Sequence, residues 1–248
     1  MLINTVILFI RDMAPIFFLF AILYSQRQDM LQPMIAGISS GFLLAVVLYF
    51  NLAAVSEMAD GGGLELLKAL VLVSAFMAFC WLTLSSKKQL PIALLTCGVT
   101  LVNAIHFIIY SAAYWSSQQA DMALMMGIII GLGIACSASI LLYMLLETSE
   151  SRLLKFAVLA IFMAGQVAGV ATLLEQINIL TEQQRLWDTS ALLADDSEYG
   201  HFLNVLVGYE ATPGPAYLLV YLLALVCPFV LNRWTHSVRG KPADGGIV

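Results

Sequence analysis

Seven stretches of the chain are apolar over the length a membrane helix needs: residues 3–25, 33–55, 64–86, 90–115, 122–146, 153–174 and 215–233. Roughly 20 such residues cross the hydrocarbon core of a bilayer, so the pattern predicts an all-α, polytopic bundle of seven transmembrane helices. One long polar connection, residues 175–214, separates the last two spans. Loops beyond ~12–15 residues are usually functional or disordered. Its Trp187, Tyr199 and Tyr209 predict packing onto the bundle, with a short helix around Tyr199–Val207. Residues 1–248 read as a single transmembrane domain.

Polar residues that interrupt the apolar runs carry most of the information. Arg11 and Asp12 stand side by side near the middle of the first span. Charge at that depth is costly and usually faces a bundle interior or a polar pathway; the alternative is a self-neutralising pair that fixes helix packing. In the fourth span Thr96, Thr100, Asn103, Tyr110 and Tyr114 recur at helical steps with His106 among them, which places them on one helix face. His106 is then either a hydrogen-bonded packing residue or, opposite Arg11–Asp12, a metal ligand or proton relay. Gly127, Gly131 and Gly133 in the fifth span and Ala164–Gly169 in the sixth predict close helix approach. Gln166 needs a partner at mid-span.

Composition agrees with the pattern: 61% of the residues are hydrophobic and 11% charged, against ~25% charged in soluble domains. The lipid bilayer is therefore the expected surrounding, and a bacterial inner membrane the expected location. The first span is longer than a signal-peptide core, carries internal charge and lacks an early basic region, so it is expected to remain in the mature protein. Lysine and arginine favour the cytoplasmic side. With the N-terminus outside and the C-terminus inside, that side holds Arg27, Lys87, Lys88, Arg152, Lys155, Arg233, Arg239 and Lys241, and the other only Lys68 and Arg185. This orientation makes residues 175–214 an external loop. Its acidic residues, Asp188, Asp195, Asp196, Glu198 and Glu210, either solvate the loop or attract cations to a pore mouth.

Other chemistry is absent from the text of the chain. There is no P-loop, HExxH, GxSxG or dinucleotide fingerprint, and no enzyme activity is expected. No basic patch interleaved with aromatics suggests nucleic acid. The four cysteines, Cys80, Cys97, Cys136 and Cys227, lie in spans without CxxC spacing and read as buried free thiols. Of the three histidines, His106, His201 and His236, one lies in a span, so no haem is expected.

The most specific text is in the loop and the last span. Leu186-Trp187-Asp188-Thr189-Ser190-Ala191-Leu192-Leu193 is followed by Tyr199-Gly200-His201-Phe202-Leu203 and then by Gly208-Tyr209-Glu210-Ala211-Thr212-Pro213. This resembles the C-terminal signature of the high-affinity iron permeases, the oxidase-dependent iron transporters, whose D-x-S-x-x-L segment precedes a Gly-containing helix and G-Y-x-x-x-P. The resemblance is strongest from about 122 to 230. It implies a seven-span permease with its N-terminus outside, taking iron from a periplasmic or extracellular iron-oxidising or iron-binding protein.

The family's R-E-x-x-E motifs in the first and fourth spans are altered here. Arg11-Asp12-Met13-Ala14-Pro15 keeps the arginine and one carboxylate, with Pro15 in place of the second. The fourth-span counterpart, about Leu101–His106, has neither arginine nor glutamate. The resemblance then implies a transport path of Arg11, Asp12, Asn103, His106 and Tyr110, with the external acidic residues collecting the ion. One carboxylate and one imidazole suit a borderline divalent ion such as ferrous iron. Pro15 is expected to kink the first span and turn backbone carbonyls near residue 11 toward a cavity. The alternative is a non-transporting subunit that keeps the permease scaffold to anchor a membrane redox or metal-delivery complex among other membrane subunits.

Overall fold

The structure is a computed structural model describing residues 2–116, 121–181 and 184–239, with backbone alone at 2–4, 8, 114–116, 121–124, 198 and 236–239. Among the described residues it is all-helical: α1 (Leu2–Gln26), α2 (Leu31–Phe50), α3 (Leu52–Ser56), α4 (Gly63–Leu84), α5 (Gln89–Ser116), α6 (Asp121–Thr148), α7 (Arg152–Gln176), α8 (Glu198–Val207) and α9 (Pro215–Arg239). Seven of these, all but α3 and α8, are long and apolar enough to cross a membrane. The side chains of Tyr114, Glu198, His236 and Arg239, and the whole of Lys241, lie outside the described residues.

One local expectation needs correction. The second span, predicted as one run over 33–55, stops at Phe50. Asn51 leaves helical geometry at φ −108°, ψ 12°, and its side chain donates to the Val47 carbonyl at 2.8 Å. Asparagine competes with the backbone in this way, and α3 follows as a separate turn. In the first span Pro15 lies within α1, which continues through it as one helix. Its consequence is chemical, because proline has no N–H for the carbonyl of Arg11 four residues earlier.

α1 is the central helix. It buries Phe9, Met13, Ala14, Phe18, Leu19 and Ile22 and packs against α5, α6, α7 and α8. α4 lies among α5, α7 and α9, while α2 packs chiefly on α5 and α6 on α1. The glycine expectation holds where backbones meet. A Cβ on Gly131 of α6 would stand 2.8 Å from Phe9 Cβ, and one on Gly41 of α2 would stand 2.7 Å from Thr100 Cβ. Gly133 instead faces open space. Of the thiols only Cys80 is buried; Cys136 is exposed, and Cys80 and Cys227 face each other with sulfurs 4.0 Å apart.

The connection after α7 does not stay at the end of the bundle. The expected short helix exists as α8, begun by Ser197, whose hydroxyl accepts from the Gly200 amide at 2.9 Å. It ends at Gly208 in left-handed geometry, φ 70°. Gly208 lies directly on Gly165, midway along α7: a Cβ on Gly165 would be 2.7 Å from Gly208 Cα. α8 is therefore a half-helix inserted into the bundle. Val205 and Phe202 join the main core, with Phe202 edge-on to Phe18 at 5.6 Å. Tyr199 and Trp187, expected to do this packing, are exposed.

A half-helix ending inside an apolar bundle needs partners for its last carbonyls. Tyr217 donates to the Gly208 carbonyl at 3.0 Å and Tyr221 to that of Val207 at 2.9 Å, both from α9.

Candidate functional site

α8 forms one wall of a cavity of about 460 Å³, which reaches into the bundle between α1, α4, α5 and α7. Arg11, Asp12 and Pro15 line it from α1, and Asn103 and His106 from α5. The charged pair, part of the polar stripe and the proline thus meet in one place.

The cavity is rich in opposed charges. Arg11 Nε donates to Asp12 Oδ1 at 3.1 Å. The Arg11 side chain is 45% accessible while that of Asp12 is 5% accessible. Asp12 Oδ2 is buried without a hydrogen-bond partner, and such an orphan costs ~1–3 kcal/mol or more when charged. Lys68, buried one turn into α4, also lines the cavity and lies within electrostatic reach of Asp12. Asp12 thus sits between two cations.

The polar stripe of α5 divides. Asn103 and His106 line the cavity, Asn103 also donating to the Val99 carbonyl at 2.8 Å. Thr96 and Thr100 are buried against the glycines of α2, and Thr96 donates back to its own helix at Ile92. Tyr110, expected on the path, lies outside the lining and packs edge-on to Phe9 at 6.3 Å. One face by periodicity spans two environments because α2 and α1 cover different lengths of it.

The acidic loop residues divide too. Asp195 and Glu210 line the cavity. Asp188 and Asp196 are exposed; the Ser190 side chain, and after it the Ser190 amide donating to Asp188 at 2.9 Å, hold the Asp188 carboxyl below the usual range. Asp195 accepts from the Ala211 amide at 2.7 Å. Burial pushes the Glu210 carboxyl up, with Asp195 adding to the effect, and its Oε2 is buried without a partner.

The signature residues knit the loop to α8. Tyr209 Oη lies 2.8 Å from Thr189 Oγ1 and donates to the Leu193 carbonyl at 2.9 Å. The Pro213 carbonyl accepts from the Leu186 amide, and that of Ala211 from the Thr189 amide, both at 3.0 Å. Gly208, Tyr209 and Pro213 therefore shape the wall of the cavity; none of the three lines it.

Sequence reasoning missed Lys68, His201 and Tyr217 as lining residues, and Gln166, expected to need a partner at mid-span, lines the cavity with them. A lysine within the first turns of an apolar span was the available signal for Lys68. Nothing local marked His201 or Tyr217, whose positions depend on the insertion of α8. Among the described residues no three His, Cys, Asp or Glu side chains are grouped to hold a metal ion. Compared with family models, curated proteins and solved structures, the chain matches none of them.

Proposed function

We propose that this chain is a divergent iron-permease-like membrane protein that moves ferrous iron or another divalent metal ion through the cavity beside Asp12. The observation that carries the reading is the buried, unpartnered Oδ2 of Asp12 in a polar cavity deep in an otherwise apolar bundle. An arriving cation would take Oδ2 first and then compete with Arg11 for Oδ1. The imidazole of His106 and the amide oxygen of Asn103 suit a borderline divalent ion. Such an ion would be held with water or backbone oxygens, since the side-chain donors are dispersed.

On this reading the N-terminus lies outside the cytoplasmic membrane, the C-terminus inside, and residues 175–214 form the external loop. Asp195 and Glu210 stand at the outer part of the path, where negative charge concentrates cations. A periplasmic or extracellular iron-oxidising or iron-binding protein would supply the ion there. The second reading, a non-transporting scaffold for a membrane complex, is favoured by Lys68: two cations around one carboxylate neutralise it statically.

Elemental analysis of the purified chain together with ferrous uptake into proteoliposomes separates the two. Transport predicts uptake by the wild type, lost in Asp12→Asn and reduced in His106→Ala with protein levels unchanged. Uptake by Asp12→Asn at the wild-type rate would sink the permease reading. Absence of metal and uptake in every sample, with other subunits co-purifying, would establish the scaffold.

A further inference from the structure

A second cavity, of about 400 Å³, lies at the opposite end of the bundle from α8, where α1 ends and α7 begins. Its lining is Ser25, Gln26, Arg27, Glu150, Arg152 and Lys155. Three cations thus face one carboxylate. The frame is built: Lys155 Nζ donates to the Ser25 carbonyl at 3.0 Å and lies 3.7 Å from Glu147, while Gln26 donates to the Lys155 carbonyl at 3.1 Å. The guanidinium groups of Arg27 and Arg152 have no hydrogen bond or ion pair among the described residues. Two free forks in one chamber match the oxygens of a phosphate group.

A narrower slot of about 130 Å³ adjoins this chamber and shares Gln26 and Arg27 with it. Leu23, Phe79, Leu82, Phe156 and Leu159 give it an apolar wall, with Thr83, Lys88 and Asn232 completing the lining. The combination is a charged chamber at the end of the candidate spans, joined to a slot with one apolar wall. A soluble phosphate would use the first part alone; an amphiphile uses both.

We propose that the paired cavities bind an anionic phospholipid, its phosphate held by Arg27, Arg152 and Lys155 and part of an acyl chain in the slot. Basic pockets between membrane helices recognise anionic headgroups in this way. The site is separate from the cavity beside Asp12 and does not depend on what that cavity carries.

Native mass spectrometry of the full-length chain in detergent tests the assignment, with phosphatidylglycerol or phosphatidylcholine titrated in. The wild type is expected to retain phosphatidylglycerol roughly tenfold better than phosphatidylcholine, and Arg27→Gln/Arg152→Gln to lose most of that preference. Lys87→Gln, which removes an exposed cation at the same end without touching either cavity, is expected to leave it unchanged. Equal retention of the two lipids by the wild type, or an undiminished preference in the double variant, overturns the proposal. Displacement of bound lipid by millimolar inorganic phosphate also overturns it, in favour of a simple phosphate site. Should the double variant not purify as a single species, Arg152→Gln alone decides, since that side chain is exposed and makes no hydrogen bond or ion pair among the described residues.

Discussion

α1 and α6 have the same mean hydropathy, 2.3, over their membrane-length windows, yet 65% of the α1 window is buried within the protein and 17% of the α6 window. Lipid and protein interior are equally apolar, so hydropathy cannot distinguish a central helix from a peripheral one. The difference lies in what each helix offers to its neighbours. α1 presents large side chains all round, together with one charged pair that requires a polar cavity. α6 presents a single face of small residues, Gly127 and Gly131, to α1 and leaves Leu141, Leu145 and Ile129 facing outward. Close approach on one side is enough to dock a helix but does not enclose it.

Truncation of packed side chains breaks this contrast most directly. Phe18→Ala in α1, where the ring is 1% exposed, is expected to cost about 3–5 kcal/mol of stability. Leu145→Ala in α6, with 71% exposure, should cost less than ~0.5 kcal/mol. Denaturant unfolding in detergent measures both, and equal losses would mean that α1 is not the central helix. Gly208→Val comes next. It places a branched side chain at φ 70° and against the backbone of Gly165, with strain and overpacking together of about 2–4 kcal/mol. Its signature is protease sensitivity of the α8 region before global unfolding; a wild-type digestion pattern would deny the insertion of α8.

Gly133→Ala sharpens the same comparison from the other side. It adds a methyl to an open face of α6 and should stabilise by ~0.5–1 kcal/mol through helix propensity, whereas a larger loss would reveal a neighbour packed there. The smallest expected effect concerns pH. The Glu210 carboxyl is raised from its usual value near 4.5, so its protonated form favours the folded state. That contribution is complete below about pH 4.5 and is lost as pH rises through the folded value. Glu210→Gln should therefore gain stability relative to the wild type as pH rises, in melting curves recorded between pH 4 and 8. Parallel curves for the two proteins would show that Glu210 is not held in a desolvated position.

Much of this was legible because it is local. Apolar run length marked the spans, and the short helix expected around Tyr199–Val207 is α8, whose observed start is Glu198. Helical spacing brought Asn103 and His106 onto one face, and intramembrane charge singled out Arg11 and Asp12; these four do line one cavity. Their meeting required no knowledge of contacts beyond the rule that buried charge seeks polar company.

What the sequence determined by itself, then, was the number of candidate spans, the existence of α8 and the polar residues that demand an interior setting, because hydropathy and periodicity act within a few turns. Long-range packing is what brings α8 into the bundle, rests Gly208 on Gly165, and joins Lys68, His201 and Glu210 to Asp12 while Tyr110 turns away to Phe9. Those outcomes depend on which helix covers which part of a face. Helices of equal hydropathy are told apart by side-chain shape across long separations in the chain, and no local pattern records that.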